Sequence, residues 1–264
     1  MKQQKSATEI SRCIADNLFY FSRLAGQIPG GTSYDGQDVS WVRSGTAAMN
    51  RVFAARFAPE ETERKISEIA ELYGGEPITW IVGPNDQPEN LGANLLSSGF
   101  TYHMRWIGMA FDLANPVPQA IDLPDFEIIE ARTVEQIRQW GQTAAAGFAM
   151  PPAVVRDFPK VFADYPSASM HYLLGFHQGQ PVATASLCCD AEAGAYFITT
   201  LPEARRRGFA REMTLALLRE ARLRGCRLVV LEASPAGYEV YQQIGFQVYC
   251  SMDIYNLLPT RNPQ

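Results

Sequence analysis

The sequence lacks the features that mark several large protein classes. No apolar stretch approaches the ~20 residues of a membrane-spanning helix. The start, Met1-Lys2-Gln3-Gln4-Lys5-Ser6, runs into Glu9, Arg12 and Asp16 with no apolar signal region. These absences predict a cytoplasmic protein with no membrane partner. Basic charge is not in excess: 23 Lys and Arg stand against 28 Asp and Glu, so 23 − 28 = −5. No nucleic acid partner is expected for the whole chain. Histidine is scarce, and His103, His171 and His177 are scattered without Cys or carboxylate spacing, which predicts no metal. The five cysteines, Cys13, Cys188, Cys189, Cys226 and Cys250, are odd in number and include no CxxC pair. Reduced, mostly buried thiols are the expectation.

What is present is a globular composition, 47% hydrophobic and 19% charged. At about 100–200 residues per domain, the 264 residues make one large domain or two ordinary ones. The proline-rich run Leu113-Ala114-Asn115-Pro116-Val117-Pro118, continuing to Leu123-Pro124, reads as an extended connector. It predicts domains at 1–115 and 125–264, joined by a linker at 116–124.

Beyond the connector, Phe126–Glu130 reads as a strand. Thr133 and Gln136 form a capping box for a helix to about Gly141. Ala144–Ala149 and Val154–Tyr165 look helical around Pro151-Pro152. A hairpin follows at 172–187, turning at His177-Gln178-Gly179-Gln180, and then a strand at Tyr196–Thr200. Arg211–Arg224 is an amphipathic helix stopped by Gly225, and Arg227–Leu231 a strand apolar on both faces. Tyr238–Ile244 is a short helix before Gly245 and a last strand, Phe246–Tyr255. The first half repeats part of this plan. Helix Glu61–Tyr73, strand Ile78–Val82, short helix Leu91–Ser97, Gly99-Phe100 and strand Tyr102–Phe111 come in the same register. Phe57-Ala58-Pro59-Glu60 echoes Leu201-Pro202-Glu203. The pattern reads as a degenerate internal duplication.

Chemistry concentrates where the strand ending at Thr200 passes through a Gly turn into a helix. A helix start leaves unpaired N–H groups and a partial positive charge, which suits a phosphate. Gly208 lets backbone approach a ligand, small Ala210 keeps the entrance open, and Arg206, Arg207 and Arg211 add charge. Taken alone, these residues fit a solvated basic helix start equally well.

Arg205-Arg206-Arg207-Gly208-Phe209-Ala210 fits R/Q-x-x-G-x-G/A, and Tyr241-Gln242-Gln243-Ile244-Gly245-Phe246 follows a strand later. Strand, R-x-x-G-x-A, helix, strand and Y-x-x-x-G-F in this order resemble the GNAT superfamily of acyl-CoA-dependent N-acyltransferases, over about Phe126 to Leu257. The resemblance implies an α/β fold, a mixed sheet in the α+β sense. It implies two tandem GNAT-like units, each a central mixed sheet flanked by helices, with the first unit degenerate. Before its Glu61–Tyr73 helix stand Glu61-Thr62-Glu63-Arg64 and no Gly turn. One coenzyme site is therefore expected.

Carried onto this sequence, the resemblance implies that the turn amides of Arg206, Arg207, Gly208, Phe209, Ala210 and Arg211 cradle the acetyl-CoA pyrophosphate. Main-chain groups of Ile198 and Thr200, with Thr199 between them, would pair with the pantetheine amides on a strand that splays from its neighbour. Ordinary strand pairing is the alternative for those three. Tyr241 matches the family tyrosine that faces the thioester sulfur, and its phenol would donate a proton as the thiolate leaves. The alternative is a packing tyrosine, with Tyr238 one turn away. Glu232, at the end of the central strand, is the candidate general base, or a surface or structural carboxylate. Asp190 and Glu192 read as turn residues. Cys188 and Cys189 have no histidine partner, and direct transfer needs no thiol nucleophile.

The expectation is an N-acetyltransferase that moves acetyl from acetyl-CoA, its cosubstrate, to a small-molecule or peptide primary amine without a metal. A longer acyl chain would keep the same fold. The rival from another class is a catalytically silent acyl-CoA-binding or sensing module.

Overall fold

The computed structural model describes residues 5–44, 49–150, 155–156, 158–163 and 168–258. The described residues fall into two compact units. An N-terminal unit takes those of 22–107 and 250–264, and a C-terminal unit those of 1–21 and 108–249.

The chain opens with α1 (Ala7–Gly26), which the sequence reading passed over. Its signal was present: Ile10, Ile14, Leu18, Phe21 and Ala25 recur at helical spacing, and all are buried. In the C-terminal unit this helix is pinned by polar contacts. The Asn17 amide donates to Glu192 O at 2.9 Å and accepts from the Tyr196 hydroxyl at 2.8 Å. Phe21 stacks on Tyr196 with centroids 4.1 Å apart.

The N-terminal unit contains β1 (Thr32–Asp35), β2 (Ser40–Arg43), β3 (Arg51–Phe53), α2 (Thr62–Leu72), β4 (Ile78–Val82) and α3 (Leu91–Ser97). Strands β1, β2 and β3 are antiparallel in sequence. Strand β3 then runs parallel to β4 for only two pairs, Arg51↔Thr79 and Val52↔Trp80. The unit also takes residues 101–107 of β5 (Thr101–Asp112). Its core gathers Ile66, Ile69, Tyr73, Ile78, Trp80, Leu91, Leu95 and Phe100. The buried Tyr73 hydroxyl is satisfied by Val42 O and Arg51 O, both at 3.0 Å.

The C-terminal unit builds an antiparallel run from β6 (Phe126–Ala131), β7 (Met170–His177), β8 (Gln180–Cys189) and β9 (Ala193–Thr200). Helices α4 (Val134–Gly147) and α5 (Phe158–Ala163) stand between β6 and β7 in the chain, and α6 (Phe209–Leu223) follows β9. Strand β10 (Leu228–Ala233) lies parallel to β9 and is bordered on its other side by β5. After it come α7 (Tyr238–Ile244) and β11 (Gln247–Leu257). Residues 253–257 of β11 pair antiparallel with β4 inside the N-terminal unit. In the duplicated plan β5 and β11 hold the same place, and each is divided: 101–107 of β5 and 250–257 of β11 belong to the N-terminal unit, 108–112 and 247–249 to the C-terminal unit. Each unit is the mixed sheet with flanking helices that the sequence implies.

Local expectations fare well. The Thr133–Gln136 capping box forms, with both reciprocal bonds. Helix α4 runs past Gly141 to Gly147, because Ala144, Ala145 and Ala146 are strong helix formers. Of the expected helix Val154–Tyr165, the described part is α5 with Val155 and Arg156. Pro151-Pro152 and residues 153, 154, 157, 164 and 165 lie outside the described residues. The thiols differ from expectation. No disulfide joins them, but only Cys188 is buried and the other four are partly exposed.

Candidate active site

Two chain-geometric features make the site. The first is a parting of strands. Strand β9 pairs with β10 only at Val229↔Ala193 and Val230↔Gly194. Past Gly194 the register with β8 slips between Thr184 and Ser186, opposite Phe197, which takes φ = 51°. This β-bulge bends β9 away from β10. It also puts neighbouring Tyr196 and Phe197 against the same ring, Phe21. Leu201 N–H then donates to Val182 O at 2.9 Å, and Thr199 pairs with Thr184. Antiparallel pairing alternates, so the peptide groups of Ile198 and Thr200 face away from β8 into the opening. Thr200 Oγ1 is buried and has no hydrogen-bond partner among the described residues.

The second feature is the turn after β9. Pro202–Ala204 form one 3-10 turn, then Arg206 (φ 61°) and Gly208 (φ 88°) take left-handed conformations on either side of Arg207. Gly208 caps α6 without a side-chain bond. Among the described residues, no acceptor meets the backbone N–H groups of Arg206 to Arg211. Successive unpaired amides in such a turn form an anion-binding concavity, and the helix start adds partial positive charge. The exposed Arg206 and Arg207 have no ion-pair partner among the described residues.

The arginines divide by role. Arg205 fixes the turn: Nε donates to Thr200 O at 3.2 Å and Nη2 to Gly147 O at 2.8 Å, tying the end of β9 to the end of α4. Arg211, expected to add charge at the site, is held by the Glu212 carboxylate and by Gln119 O. Its guanidinium is thereby engaged, and only its N–H group meets no acceptor among the described residues. Phe209 is a core ring stacked on Phe126 at 4.3 Å. The connector passes here too. Ile121 N–H donates to the buried Glu212 at 3.2 Å, and Ile121 Cδ1 would stand 3.2 Å from a Cβ at position 208. Arg222 bonds the carbonyls of Leu113 and Asn115 at 2.8 and 2.6 Å, so the connector is strapped along α6 from end to end. Nothing in the sequence signals that strap, because backbone carbonyls carry no side-chain signature.

Tyr241 lies on α7 with its ring edge-on to Phe246, centroids 5.9 Å apart. Burial pushes its phenol well above the ordinary tyrosine value, so it holds its proton throughout the physiological range. Among the described residues no hydrogen bond occupies its hydroxyl. Gly237 sets the ring's place: a Cβ there would stand 2.8 Å from Tyr241 Cε2. That need for glycine was invisible without the fold. Glu232 is half-buried on β10, two residues past the last pair with β9. Glu192 is a structural anchor. It pairs with Lys5 at 2.9 Å and accepts Leu228 N–H at 3.0 Å. Burial raises the Cys188 and Cys189 thiols to about 12, which suppresses thiolate chemistry.

Residues 135–246 match the family model described as the acetyltransferase (GNAT) family. Among solved structures, the chain is similar to a GCN5-related N-acetyltransferase from Kribbella flavida. The identity is 16%, with 91% of this chain and 94% of that chain covered and a TM-score of 0.68. A functionally unknown conserved protein from Staphylococcus epidermidis gives 11% identity, 87% and 95% coverage and a TM-score of 0.66. A tandem GNAT protein from the clavulanic acid biosynthesis pathway gives 13% identity, 93% and 89% coverage and a TM-score of 0.58. At these identities the structures establish the fold alone. No curated protein matches the chain.

Proposed function

We propose, for a chain whose residues 135–246 form a GNAT-family acetyltransferase domain, that it transfers acetyl from acetyl-CoA directly to a primary amine. The observation that carries this reading is the run of N–H groups from Arg206 to Arg211 that meet no acceptor among the described residues, set beside the parting of β9 from β10. The residues present suit the coenzyme: amides and two guanidinium groups unpaired among the described residues for pyrophosphate, the Ile198 peptide group and the Thr200 N–H for pantetheine amides, and the orphan Thr200 hydroxyl at the junction.

Acetyl-CoA supplies an acyl thioester. The chain holds it by strand addition and lets the amine attack its carbonyl carbon. The C–N bond forms, the C–S bond breaks, and Tyr241 Oη gives its proton to the departing sulfur. The thiolate of a thiol with pKa near 8.5 is a weaker base than a phenolate, so the transfer runs with C–S cleavage, and the tyrosinate is reprotonated by the proton that the acylated nitrogen gives up. The attacking amine must arrive neutral. A lysine-type amine near pKa 10.4 needs a base, whereas an α-amine near 8 needs less help. Glu232, beyond the parting of β9 and β10, fills the role of base, directly or through water.

Free-thiol release from acetyl-CoA, measured against a panel of primary amines, tests the reading. Amine-dependent release is expected. Tight coenzyme binding with no release for any amine would favour the silent module, and no coenzyme binding at all would sink both.

A further inference from the structure

The N-terminal unit repeats the geometry of the parting strands and then closes it. After the last parallel pair, Val52↔Trp80, Ala54 takes φ = 56°, as Phe197 does beyond Gly194. The chain then reaches a 3-10 turn at Pro59–Glu61, as it does at Pro202–Ala204. With the two turns matched, Ala55 stands for Ile198 and Phe57 for Thr200. These are the positions whose peptide groups face the opening in the C-terminal unit. In the N-terminal unit they are taken. Gln87 N–H donates to Ala55 O at 2.8 Å, and Phe57 N–H donates to Gln87 O at 3.1 Å. Arg56 and Gln87 make an isolated parallel bridge. The loop after β4 therefore turns back and adds one residue of strand to the parted edge.

Neighbouring contacts hold the loop there. Asp86 Oδ2 accepts Gly83 N–H at 3.2 Å, and the side chain is largely buried beside Arg56. The helix start that would complete an anion site is also altered. Helix α2 starts at Thr62 directly after the 3-10 turn, with no counterpart of the left-handed turn at Arg206–Gly208, and Glu60, Glu61 and Glu63 surround it.

We propose that Asp86-Gln87-Pro88 is a built-in occupant of the N-terminal cleft, taking the two backbone bonds an amide-bearing ligand would take, so that the chain loads one acyl-CoA. The inference rests on the proposed function for its ligand, but not for the occupancy itself. Gln87 is an internal β-strand addition. An external amide must break two bonds already made and gains no phosphate seat in return.

Hydrogen exchange on the full chain, with and without coenzyme A, separates the two claims. The Phe57 amide should exchange slowly in the free chain and be unchanged by coenzyme A, while amides from Ile198 to Arg211 slow by tenfold or more. Calorimetry should give one coenzyme per chain. Fast exchange at Phe57 in the free chain would overturn the inference. So would slowing at Ala55 to Phe57 on adding coenzyme A, with two coenzymes bound. Slow exchange at Phe57 with no change anywhere on adding coenzyme A supports the occupied cleft and overturns the coenzyme reading.

Discussion

In the C-terminal unit β9 and β10 part after two pairs, the peptide groups of Ile198 and Thr200 face the gap, and an acceptor-free turn follows. In the N-terminal unit β3 and β4 part after two pairs, but Gln87 bonds Ala55 and Phe57, and the following helix begins among Glu60, Glu61 and Glu63. Both units keep a non-glycine residue with positive φ at the parting, Phe197 in one and Ala54 in the other, although such a conformation is unfavourable. The bend thus belongs to the fold, since it survives where the gap is filled. What distinguishes the units is the chemistry offered to a ligand: a Gly turn with bare amides in one, acids and an internal occupant in the other.

The sharpest way to break this contrast is to give the C-terminal turn the character of its counterpart. Gly208→Asp places a carboxylate among the amides of Arg206 to Arg211, where it caps them and repels phosphate. Asp tolerates a left-handed φ better than most residues, and the nearest obstacle, Ile121 Cδ1 at 3.2 Å, is the end of a flexible side chain. The variant should keep its fold by circular dichroism and lose coenzyme binding by at least ~100-fold in calorimetry, the scale of two or more lost charge-assisted bonds. Near-normal affinity in a folded variant would remove the turn from the site.

Tyr241→Phe tests the departing-sulfur end. It keeps the ring packed on Phe246 and removes only the hydroxyl that carries the proton. Turnover should fall by about 10²–10⁴-fold with coenzyme affinity little changed. The loss should shrink for more acidic leaving thiols. Tyr238→Phe, one turn away, should be nearly silent. Full turnover in Tyr241→Phe with chemistry rate-limiting would end the assignment.

A smaller effect is expected from Gly237→Ala. Its φ of −95° suits alanine, but the added methyl meets the Tyr241 ring. The ring must shift, so kcat should drop by roughly 10-fold, the cost of a sub-ångström misplacement being steep. KM for acetyl-CoA should hold. Unchanged kcat would show that the ring's present place is not the productive one.

These sites differ in how far the sequence discloses them. Gly208 and Tyr241 sit in spaced motifs on either side of a strand, and the helices and strands around them follow from periodicity, so both were legible. Gly237 was not, because its constraint comes from a ring four residues on, across a helical turn. The role of Arg205 was hidden too. It looks like its neighbours Arg206 and Arg207, and only the fold brings Thr200 O and Gly147 O within its reach. The internal occupant was equally hidden, since Gln87 acts through its backbone. The division of β5 and β11 was hidden as well, because what a strand pairs with depends on its context more than on its own residues.

The smallest effect concerns Asp86, beside the internal occupant. Burial raises its carboxyl from 3.8 to about 7, against the pull of the Gly83 and Ala55 N–H groups and Arg56. Below about pH 4 the carboxyl is protonated both folded and unfolded, and it imposes no pH-dependent cost. Between pH 4 and 7 the unfolded chain releases the proton while the folded chain keeps it, so stability falls as pH rises. Above about 7 the folded carboxyl ionises as well, and the loss is complete. The rise sets an upper limit of about 4 kcal/mol. Asp86 keeps some exposure, and solvent screening brings the expected figure to the order of 1 kcal/mol. Asn at this position accepts the same N–H groups without titrating. Asp86→Asn should therefore melt close to wild type at pH 4 and about 2–4 °C above it at pH 8, by calorimetry on the full chain. The Phe57 amide should lose protection above pH 7 in wild type, after correction for intrinsic exchange, and keep it in the variant. If the melting difference is the same at both pH values, or larger at pH 4, the buried carboxyl does not set the stability of this loop.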